Sequence, residues 1–324
     1  MIKVAVLDDY QAVAATMADW AQLGPDVAVD FFHEHVAERE ALVERLAPYA
    51  VVCLMRERTP FPRALFERLP GLQLLVTTGM RNAAIDMEAA REHGVVVCGT
   101  GGATHGTAEL AWALVLALAR NLPTEDAWLR QGGWQRSVGT TLHGRTLGLL
   151  GLGRLGQVVA RYGHAFGMDV LAWSHNLTAE HAAEHGASRV DEDELLRRAD
   201  VVSIHLVLSE RTRGLIGARE LALMQPSAYL VNTSRGPIVD EDALVRALHD
   251  GVIAGAALDV YHEEPLPPDH PLLDAPNTVL TPHLGYVNDA AYEAFYRDTV
   301  EVIRSWRAGT PVRVIVPARS GGSG

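Results

Sequence analysis

The sequence predicts an α/β protein built from two doubly wound domains, each with a parallel sheet. Short apolar runs alternate with amphipathic helical patterns along the whole chain, which is typical of buried parallel strands joined by right-handed crossovers. A glycine-rich turn, GLGRLG at residues 151–156, lies between one such run and one helical pattern. The chain has 324 residues, 48% of them hydrophobic, which is enough for two cores of ordinary size.

Five apolar runs define the first domain, for which we expect a flavodoxin-like sheet. The runs are IKVAVLD, VAVDFF, AVVCLM, LQLLVTT and VVVCG. Helical patterns lie between them near residues 11–20, 39–47, 62–69 and 86–93. The last helical pattern of the chain, at about residues 289–306, comes after the final apolar run and would return to this domain. We therefore expect a discontinuous substrate domain at residues 1–99 and 288–319.

The second domain is predicted to span residues 100–287 and to begin with an apolar helix at about residues 107–120. Six apolar runs come after that helix: RTLGLLG, DVLAWS, DVVSIHL, SAYLVNTS, AGAALDV and TVLTPH. Because the glycine turn directly follows the first of them, we expect a Rossmann domain that binds a dinucleotide and is inserted into the first domain. Residues 320–324, SGGSG, have the composition of a flexible linker tail.

Charge and composition argue against several classes of partner and site. The formal net charge of −12 disfavours nucleic acid or an anionic membrane as partner, although local cations could still bind an anionic substrate. The longest apolar stretch, residues 110–119, is too short for a membrane span and predicts a buried helix. Cys53 and Cys98 lie in apolar runs, which favours buried reduced thiols over a disulfide or a redox pair. Because the chain starts with a strand, we expect no signal peptide and a cytoplasmic protein.

The glycine turn has the spacing of a dinucleotide site. Gly151 permits a tight turn, Gly153 lets a pyrophosphate approach the backbone, and Gly156 lets the following helix pack close to the strand. A turn made only for packing is the alternative, but the strand before it and the helix after it fit the functional interpretation. Ser174 stands where an acidic residue usually binds the ribose, so the choice between NAD and NADP stays open.

Three polar residues come after apolar runs late in the second domain: Arg235, Glu264 and His283. A guanidinium, a carboxylate and an imidazole can bind a carboxylate substrate, orient a base and transfer a proton. Beside a dinucleotide, this set indicates hydride chemistry on a 2-hydroxy or 2-oxo acid. Each residue also has a structural alternative. Arg235 could cap its strand or pair with Asp240, and the role of His283 could be limited to a hydrogen bond that holds a loop. Glu264 could be a surface carboxylate, with the neighbouring Glu263 as the relevant acid.

The chain resembles the D-isomer-specific 2-hydroxyacid dehydrogenase family, in its D-3-phosphoglycerate dehydrogenase-like branch. The similar stretches are GTAELAWALVLALARNLP, GRTLGLLGLGRLGQVVA, LVNTSRGPIVDEDAL, AGAALDVYHEEPLP and NTVLTPHLGY, and the resemblance covers about residues 1–316. It implies an NAD- or NADP-dependent oxidoreductase in which Arg235, Glu264 and His283 form the catalytic trio. It also implies a homodimer formed through the nucleotide domain, which would bury the helix around Trp112.

On this basis we expect two groups of binding residues and no metal ion. The expected cofactor contacts are Thr107, Gly151, Gly153, Arg154, Leu155, Gly156, Ser174, His175, His205, Thr212, Thr233, Asp259, His283 and Gly285. The expected substrate contacts are Arg56, Thr78, Gly79, Met80, Arg81 and Arg235. Asp259 is expected to accept a hydrogen bond from the nicotinamide amide rather than to act in catalysis. Val207 stands where the family commonly has proline, which changes the wall near the cofactor ribose.

The expected mechanism places the substrate between the two domains. Its carboxylate would bind Arg235 and backbone amides of the Gly79 loop. Protonated His283, paired with Glu264, would donate a proton to the oxygen on carbon 2 as hydride reaches that carbon.

The substrate stays open among small anionic 2-hydroxy and 2-oxo acids, including phosphoglycerate, hydroxypyruvate and glyoxylate. Arg81, with Arg56 or Arg58, could receive a second anionic group; alternatively it could be a solvated loop residue or pair with Asp86. The alternative function is an NAD(H)-responsive binding module of the corepressor kind, which would suit a chain with long partner-binding tails.

Overall fold

The structure is a computed structural model that describes residues 1–102 and 105–316. The described residues form two compact units, residues 1–102 with 288–316 and residues 105–287. Each unit has its own sheet of mainly parallel strands, so the predicted α/β class with two parallel-sheet domains is confirmed. The predicted linker tail at residues 320–324 lies outside the described residues.

The first unit begins with five parallel strands at the five predicted apolar runs. They are β1 (Ile2–Val6), β2 (Val27–Phe31), β3 (Val51–Leu54), β4 (Leu74–Thr77) and β5 (Val96–Gly99). The last three are buried at every position, as expected of parallel strands covered on both faces. The spatial order β2-β1-β3-β4-β5 is that of flavodoxin-like sheets.

Four short helices connect these strands. They are α1 (Ala14–Met17), α2 (Arg39–Leu46), α3 (Arg63–Phe66) and α4 (Met87–Glu92). The prediction of one helix over residues 11–20 is wrong, because α1 ends early and a 3-10 turn comes after it at Trp20–Leu23. Ala18 is extended at φ −150°, and the Trp20 indole donates a hydrogen bond to the carbonyl of Ala14 across the break.

The second unit opens with two helices, α5 (His105–Ala119) and α6 (Leu122–Arg130). Asn121, in the left-handed conformation at φ +51°, separates them. The apolar α5 packs on the sheet of this unit, where Trp112 is 7% exposed and lies edge-on against Phe166 at 4.9 Å. Trp112 is therefore already buried by contacts within the second unit.

Seven parallel strands form the sheet of the second unit. They are β6 (Thr146–Leu150), β7 (Asp169–Trp173), β8 (Ser188–Arg189), β9 (Val201–Ile204), β10 (Tyr229–Asn232), β11 (Gly255–Leu258) and β12 (Thr278–Leu280). Their spatial order is β12-β11-β10-β9-β6-β7-β8. This is the strand order of a Rossmann sheet with one additional strand at the end. The two-residue β8 was not predicted, since so short a strand leaves no periodic signal.

Five further helices connect the strands of the second sheet. They are α7 (Arg154–Ala165), α8 (Ala179–Glu184), α9 (Glu192–Arg198), α10 (Ala218–Leu223) and α11 (Glu241–His249). The side chains of Thr178, Asp191 and Asp240 cap α8, α9 and α11 by accepting a hydrogen bond from a first-turn N–H. By contrast, α7 begins at Gly153 without a side-chain cap.

The chain then returns to the first unit with α12 (Asp289–Arg307) and β13 (Val314–Val316). β13 pairs antiparallel with β5 at the edge of the first sheet and was not predicted. Cys53 and Cys98 are buried free thiols of this sheet, and burial raises the pKa of both, that of Cys98 to about 11. Among the described residues, none of the helices combines the length and apolar character needed to cross a bilayer.

Candidate active site

The candidate cofactor residues lie along one edge of the second sheet. All seven strands are parallel, so the segments that leave their carboxyl ends lie on the same side. The order of connection reverses between β6 and β9, and the glycine turn and His205 directly follow these two strands. In open parallel sheets, ligands bind outside the carboxyl ends at such a reversal.

The glycine turn fits a pyrophosphate. Gly151 has φ +102°, and a Cβ there would lie 2.8 Å from the carbonyl oxygen of His205. A Cβ on Gly156 would lie 2.1 Å from the carbonyl oxygen of Gly151, so only glycine lets α7 start this close to the turn. At Gly153 a Cβ would meet no described atom within 4 Å. Open space in front of an uncapped helix start suits an anion, because first-turn N–H groups and the helix dipole favour negative charge there.

His205 adds a buried nitrogen at the same reversal point. Its Nε2 lies 2.9 Å from the hydroxyl of Ser203, while its Nδ1 is buried and has no hydrogen-bond partner among the described residues. Burial lowers the pKa of His205 to about 4, so the ring is neutral near pH 7. An unpartnered buried polar atom is costly, and a bound cofactor is one group that would satisfy it.

The other cofactor candidates around the turn differ in exposure. Ser174 is half-buried directly after β7, and His175 beside it is exposed, with its ring 5.0 Å from that of Trp173. Arg154 is exposed at the start of α7, and Leu155 is half-buried. The residues directly after β7 are Ser174, His175 and Asn176, so no carboxylate side chain lies at the end of this strand.

Two buried threonines lie in the segments after β9 and β10. Thr233 is buried directly after β10. Thr212 is also buried, and its hydroxyl donates to the carbonyl of Val207 and accepts from the N–H of Ser209, both at 2.8 Å. This hydroxyl therefore holds the turn that carries Val207, whose side chain is 75% exposed.

His283 and Glu264 form the closest polar pair of the candidate site. Nδ1 of His283 lies 2.5 Å from Oε2 of Glu264, and Oε1 of Glu264 accepts the backbone N–H of Tyr261 at 2.9 Å. The pair leaves Nε2 of His283 as the nitrogen available for proton transfer. The side chains are partly buried, with 22% of His283 and 34% of Glu264 exposed. Glu263 is exposed, and the bond to His283 comes from Glu264.

Electrostatics keep Glu264 ionised. Burial alone would raise the pKa of this carboxyl, but the hydrogen bond and charge of His283, the N–H of Tyr261 and the charge of Arg235 outweigh it and hold the pKa below its usual value. Arg235 is half-buried at the start of a 3-10 turn, Gly236–Ile238, that comes after β10. Its guanidinium donates to the carbonyl of Ser234 at 2.7 Å.

Asp259 holds the loop that carries His283. The carboxylate is fully buried and accepts three hydrogen bonds, from the Thr281 hydroxyl at 2.6 Å and from the N–H groups of Leu284 at 2.7 Å and Gly285 at 2.9 Å. Burial outweighs these bonds and raises the pKa of Asp259. His283, between two of the anchored residues, is left-handed at φ +53°, a conformation that a non-glycine residue keeps only when its surroundings impose it.

Thr107 and Gly285, two more cofactor candidates, contact each other in the same unit. The Thr107 hydroxyl donates to the carbonyl of Gly285 at 2.8 Å. The structure thus brings Thr107, Asp259, His283 and Gly285 into one cluster at the carboxyl ends of β11 and β12.

The expected carboxylate-binding loop, residues 78–82, lies in the first unit and is tied to Arg56. The N–H of Arg56 donates to the Thr78 hydroxyl at 2.8 Å and its guanidinium to the Thr78 carbonyl at 3.2 Å. A Cβ on Gly79 would lie 2.2 Å from Nη1 of Arg56, so the guanidinium lies against the backbone of Gly79. The N–H of Gly79 donates to the Thr100 hydroxyl at 2.8 Å and is therefore engaged within the unit.

Arg81 and Met80 project from this loop. Met80 is 48% exposed and Arg81 is exposed as well. Asp86, the structural alternative as a partner for Arg81, caps α4 through the N–H of Ala89 and lies 3.8 Å from Nε of Arg63.

Arg58 belongs to a different network in the first unit. Its guanidinium donates to the carbonyl of Asp8 at 2.5 Å and to the hydroxyl of Tyr292 at 3.3 Å. It also lies over the ring of Tyr10 at 4.3 Å.

Several residues that support the candidates were not predicted from the sequence. Thr281 bonds Asp259, Thr100 bonds Gly79, and the Tyr286 ring lies 5.2 Å from that of His283 in an edge-on arrangement. Thr281 and Tyr286 could have been suggested by their position within three residues of His283 in the sequence TPHLGY. The sequence did not indicate the role of Thr100, because it lies 21 residues from Gly79, the residue that it bonds.

The chain is similar to known proteins of one family. The family model for the NAD-binding domain of D-isomer specific 2-hydroxyacid dehydrogenases matches residues 112–285. A glyoxylate reductase of Aeropyrum pernix is 45% identical over 229 residues, 68% of each chain. A D-3-phosphoglycerate dehydrogenase of Methanocaldococcus jannaschii is 40% identical over 260 residues, which are 79% of this chain and 49% of that relative. This chain thus spans about half the length of the second relative.

The structure is also similar to a solved structure. The crystal structure of a phosphoglycerate oxidoreductase from Vibrio cholerae matches with a TM-score of 0.91 at 38% identity, covering 95% of this chain and 100% of that one. The family match includes the glycine turn and all of Arg235, Glu264 and His283, and it makes NAD the cofactor, with NADP also compatible. The corepressor-like alternative is not favoured. The chain belongs to the D-isomer specific 2-hydroxyacid dehydrogenase family.

Proposed function

We propose that the protein interconverts a small D-2-hydroxy acid and its 2-oxo acid, with His283 as the acid and base. The observation that carries the proposal is the 2.5 Å contact between Nδ1 of His283 and Oε2 of Glu264, in a loop at the same sheet edge as the glycine turn. A histidine held at one nitrogen by an ionised carboxylate, beside a dinucleotide site, has the arrangement that proton transfer at a carbinol carbon needs.

Glu264 sets the protonation and orientation of His283. In the oxidative direction, the neutral ring donates Nδ1–H to Glu264 and accepts the hydroxyl proton at Nε2. In the reductive direction, the protonated ring donates from Nε2 to the oxygen on carbon 2, while the carboxylate stabilises the positive ring. The three bonds to Asp259 keep the His283 loop in place through both states.

The proposed substrate contacts supply carboxylate binding. Arg235 is the candidate donor in the second unit, because a planar guanidinium can hold a carboxylate through two parallel hydrogen bonds. In the first unit, we propose that the 78–82 loop, with Arg56 beside it, contributes to binding the substrate carboxylate. Because the Gly79 N–H already donates to Thr100, we propose that the N–H groups of Met80 and Arg81 bind the carboxylate in its place.

The cofactor would be held by the glycine turn, by the segment after β7 and by the cluster around Asp259. When bound, the nicotinamide exchanges a hydride with carbon 2 of the acid. Ser174 offers a hydroxyl at the proposed ribose position, which neither repels a 2′-phosphate nor binds it strongly. The family match gives NAD as the cofactor, and because Ser174 does not repel a 2′-phosphate, we propose NADP(H) as a usable substitute.

The substrate class we propose is a short 2-oxo acid such as glyoxylate or hydroxypyruvate, with 3-phosphoglycerate as the alternative. The relatives named glyoxylate reductase and D-3-phosphoglycerate dehydrogenase support this class. The choice between these substrates depends on Arg81, because the exposed guanidinium of this loop residue could bind a second anionic group.

A substrate panel tests the proposal. The purified protein is assayed with glyoxylate, hydroxypyruvate and pyruvate in the reductive direction, and with 3-phosphoglycerate and D-glycerate in the oxidative direction, each with both cofactors. We expect turnover of at least one acid that depends on a nicotinamide cofactor and, where carbon 2 is chiral, yields or consumes only the D-isomer. Cofactor binding without turnover of any acid would contradict the proposal and revive the binding-module alternative.

We further propose a homodimer formed through the segment around α6. None of the residues of α6 is buried in the described chain, and four large apolar side chains of the segment are 53–97% exposed: Leu122, Leu129, Trp134 and Val138. An exposed apolar surface of this kind is typical of a subunit interface. Sedimentation velocity should give a dimer for the wild type and a monomer for a Leu129→Arg/Trp134→Arg variant. A monomeric wild type would contradict the proposed homodimer.

A further inference from the structure

We propose that His181, Glu184 and His185 form a binding site for one transition-metal ion of the Zn²⁺ class. The site lies in the second unit, on α8 and the residue after it. None of the three residues is among those proposed for catalysis, cofactor or substrate binding, so the inference stands apart from the proposed function.

Helix geometry brings the three side chains together. They lie in the segment HAAEH and occupy positions i, i+3 and i+4, which share one face of an α-helix. Their potential ligand atoms all lie within 4.8 Å of one another. The two imidazole rings are 4.9 Å apart between centroids, with an interplanar angle of 79°.

Two of the ligand atoms already have the separation that a metal ion requires. Ligands about 2.0–2.1 Å from a tetrahedral ion lie roughly 3.3–3.4 Å apart. Nδ1 of His181 lies 3.3 Å from Oε2 of Glu184. This spacing matches that of two ligands on one ion, and the ligand atom of His185 lies within 4.8 Å of both.

The donor set selects the class of ion. Two imidazoles and one carboxylate suit Zn²⁺, Co²⁺, Ni²⁺ or Cu²⁺, whereas Mg²⁺ and Ca²⁺ prefer a shell of oxygen ligands. Three protein ligands leave a fourth position for water, which can reach the site because the side chains of His181 and Glu184 are 44% and 69% exposed.

The surroundings anchor the proposed site to the rest of the second unit. Nε2 of His181, the ring nitrogen away from Glu184, lies 3.4 Å from the Gln157 side-chain amide on α7. The Thr178 hydroxyl caps α8 by accepting the N–H of His181. Since α8 has only six residues, an ion joining positions i and i+4 would stabilise a helix that is short on its own.

Titration of the chelator-treated protein with ZnCl₂, followed by calorimetry, tests the site. We expect the wild type to bind one more Zn²⁺ per chain than a His181→Ala/His185→Ala variant, and MgCl₂ not to compete. Each single variant should weaken this binding at least about tenfold, since even loss of a group that only orients a ligand costs about 10–100-fold. The matched control is His249→Ala, which removes an exposed histidine at the end of α11.

Co²⁺ provides a second readout that does not depend on enzyme activity. Bound Co²⁺ should give the visible absorption of a tetrahedral or five-coordinate ion in the wild type and in His249→Ala, and lose it in the double variant. Circular dichroism checks that the variants fold. Equal Zn²⁺ stoichiometry and affinity in the wild type and the double variant would overturn the inference, as would equal weakening by His249→Ala. Neither outcome bears on the proposed dehydrogenase activity.

Discussion

Two alanine substitutions in the glycine turn should separate folding from cofactor binding. In Gly156→Ala, the new Cβ would lie 2.1 Å from the carbonyl oxygen of Gly151, whereas real Cβ contacts stay beyond 3.0 Å. The helix α7 must therefore move away from the turn by about 1 Å. In Gly153→Ala, the new Cβ meets no described atom within 4 Å, and the backbone at φ −79° accepts alanine without strain.

The magnitudes follow from this difference. Overpacking costs about 1–3 kcal/mol, and alanine in a helix regains at most about 1 kcal/mol over glycine, so Gly156→Ala should lose roughly 1–2 kcal/mol of unfolding free energy. Gly153→Ala should change that free energy by less than about 1 kcal/mol. Its methyl group would instead enter the proposed pyrophosphate position and disturb charge-assisted hydrogen bonds worth about 1.5–3 kcal/mol, or one to two decades in the NADH dissociation constant.

Urea unfolding and NADH fluorescence titration measure the two effects on the same preparations. A Gly156→Ala protein as stable as the wild type would refute the close packing of α7 on the turn. A Gly153→Ala protein that binds NADH normally would refute the placement of the pyrophosphate at this turn.

Three other substitutions, and Glu263→Gln as a control, change charge at or next to the candidate site. Because the pKa of Glu264 is lowered in the folded protein, its ionised form stabilises the fold above about pH 4.5, and this contribution is lost as the pH falls through the folded value. The stability difference between wild type and Glu264→Gln should therefore be largest near neutral pH and vanish in acid, and a pH-independent difference would contradict the pairing. The same variant should move the midpoint of the kcat/KM pH profile to lower pH, while Glu263→Gln should leave it in place. Ser174→Asp should weaken NADPH far more than NADH, because a phosphate would face a like charge, and an equal effect on both would mean that Ser174 does not line the ribose position. Arg81→Ala should lower kcat/KM for a doubly anionic acid by about one to two decades and leave glyoxylate nearly unchanged, whereas equal losses would assign Arg81 to the shared carboxylate contact.

The parallel strands were predictable because they depend on local patterns, and the proposed position of the candidate site follows from them. Apolar runs between helical patterns identified every parallel strand except the short β8, and the carboxyl ends of parallel strands meet at one edge of a sheet. This is how Arg235, Glu264 and His283 could be chosen from the sequence. β13 was not predicted because it has only three residues and pairs antiparallel with β5, more than two hundred residues away in the sequence.

The details of the candidate site depend on tertiary contacts and were not predictable. Asp259 bonds groups that lie 22 to 26 positions further along the chain, and no local pattern signals that its carboxylate holds the His283 loop. The left-handed backbone of His283 depends on those contacts, since histidine has no intrinsic preference strong enough to impose it. The engagement of the Gly79 N–H by Thr100 likewise links separate loops of the first unit.

The proposed role of His283 as acid and base is tested by single-turnover kinetics of His283→Ala. The variant is mixed with NADH and the best 2-oxo acid from the substrate panel, and NADH binding is measured separately by fluorescence. We expect the rate of hydride transfer to fall about 10²–10⁴-fold with NADH affinity unchanged, because only the proton donor is removed. A rate within a few-fold of the wild type would contradict the assignment of His283 as the acid and base.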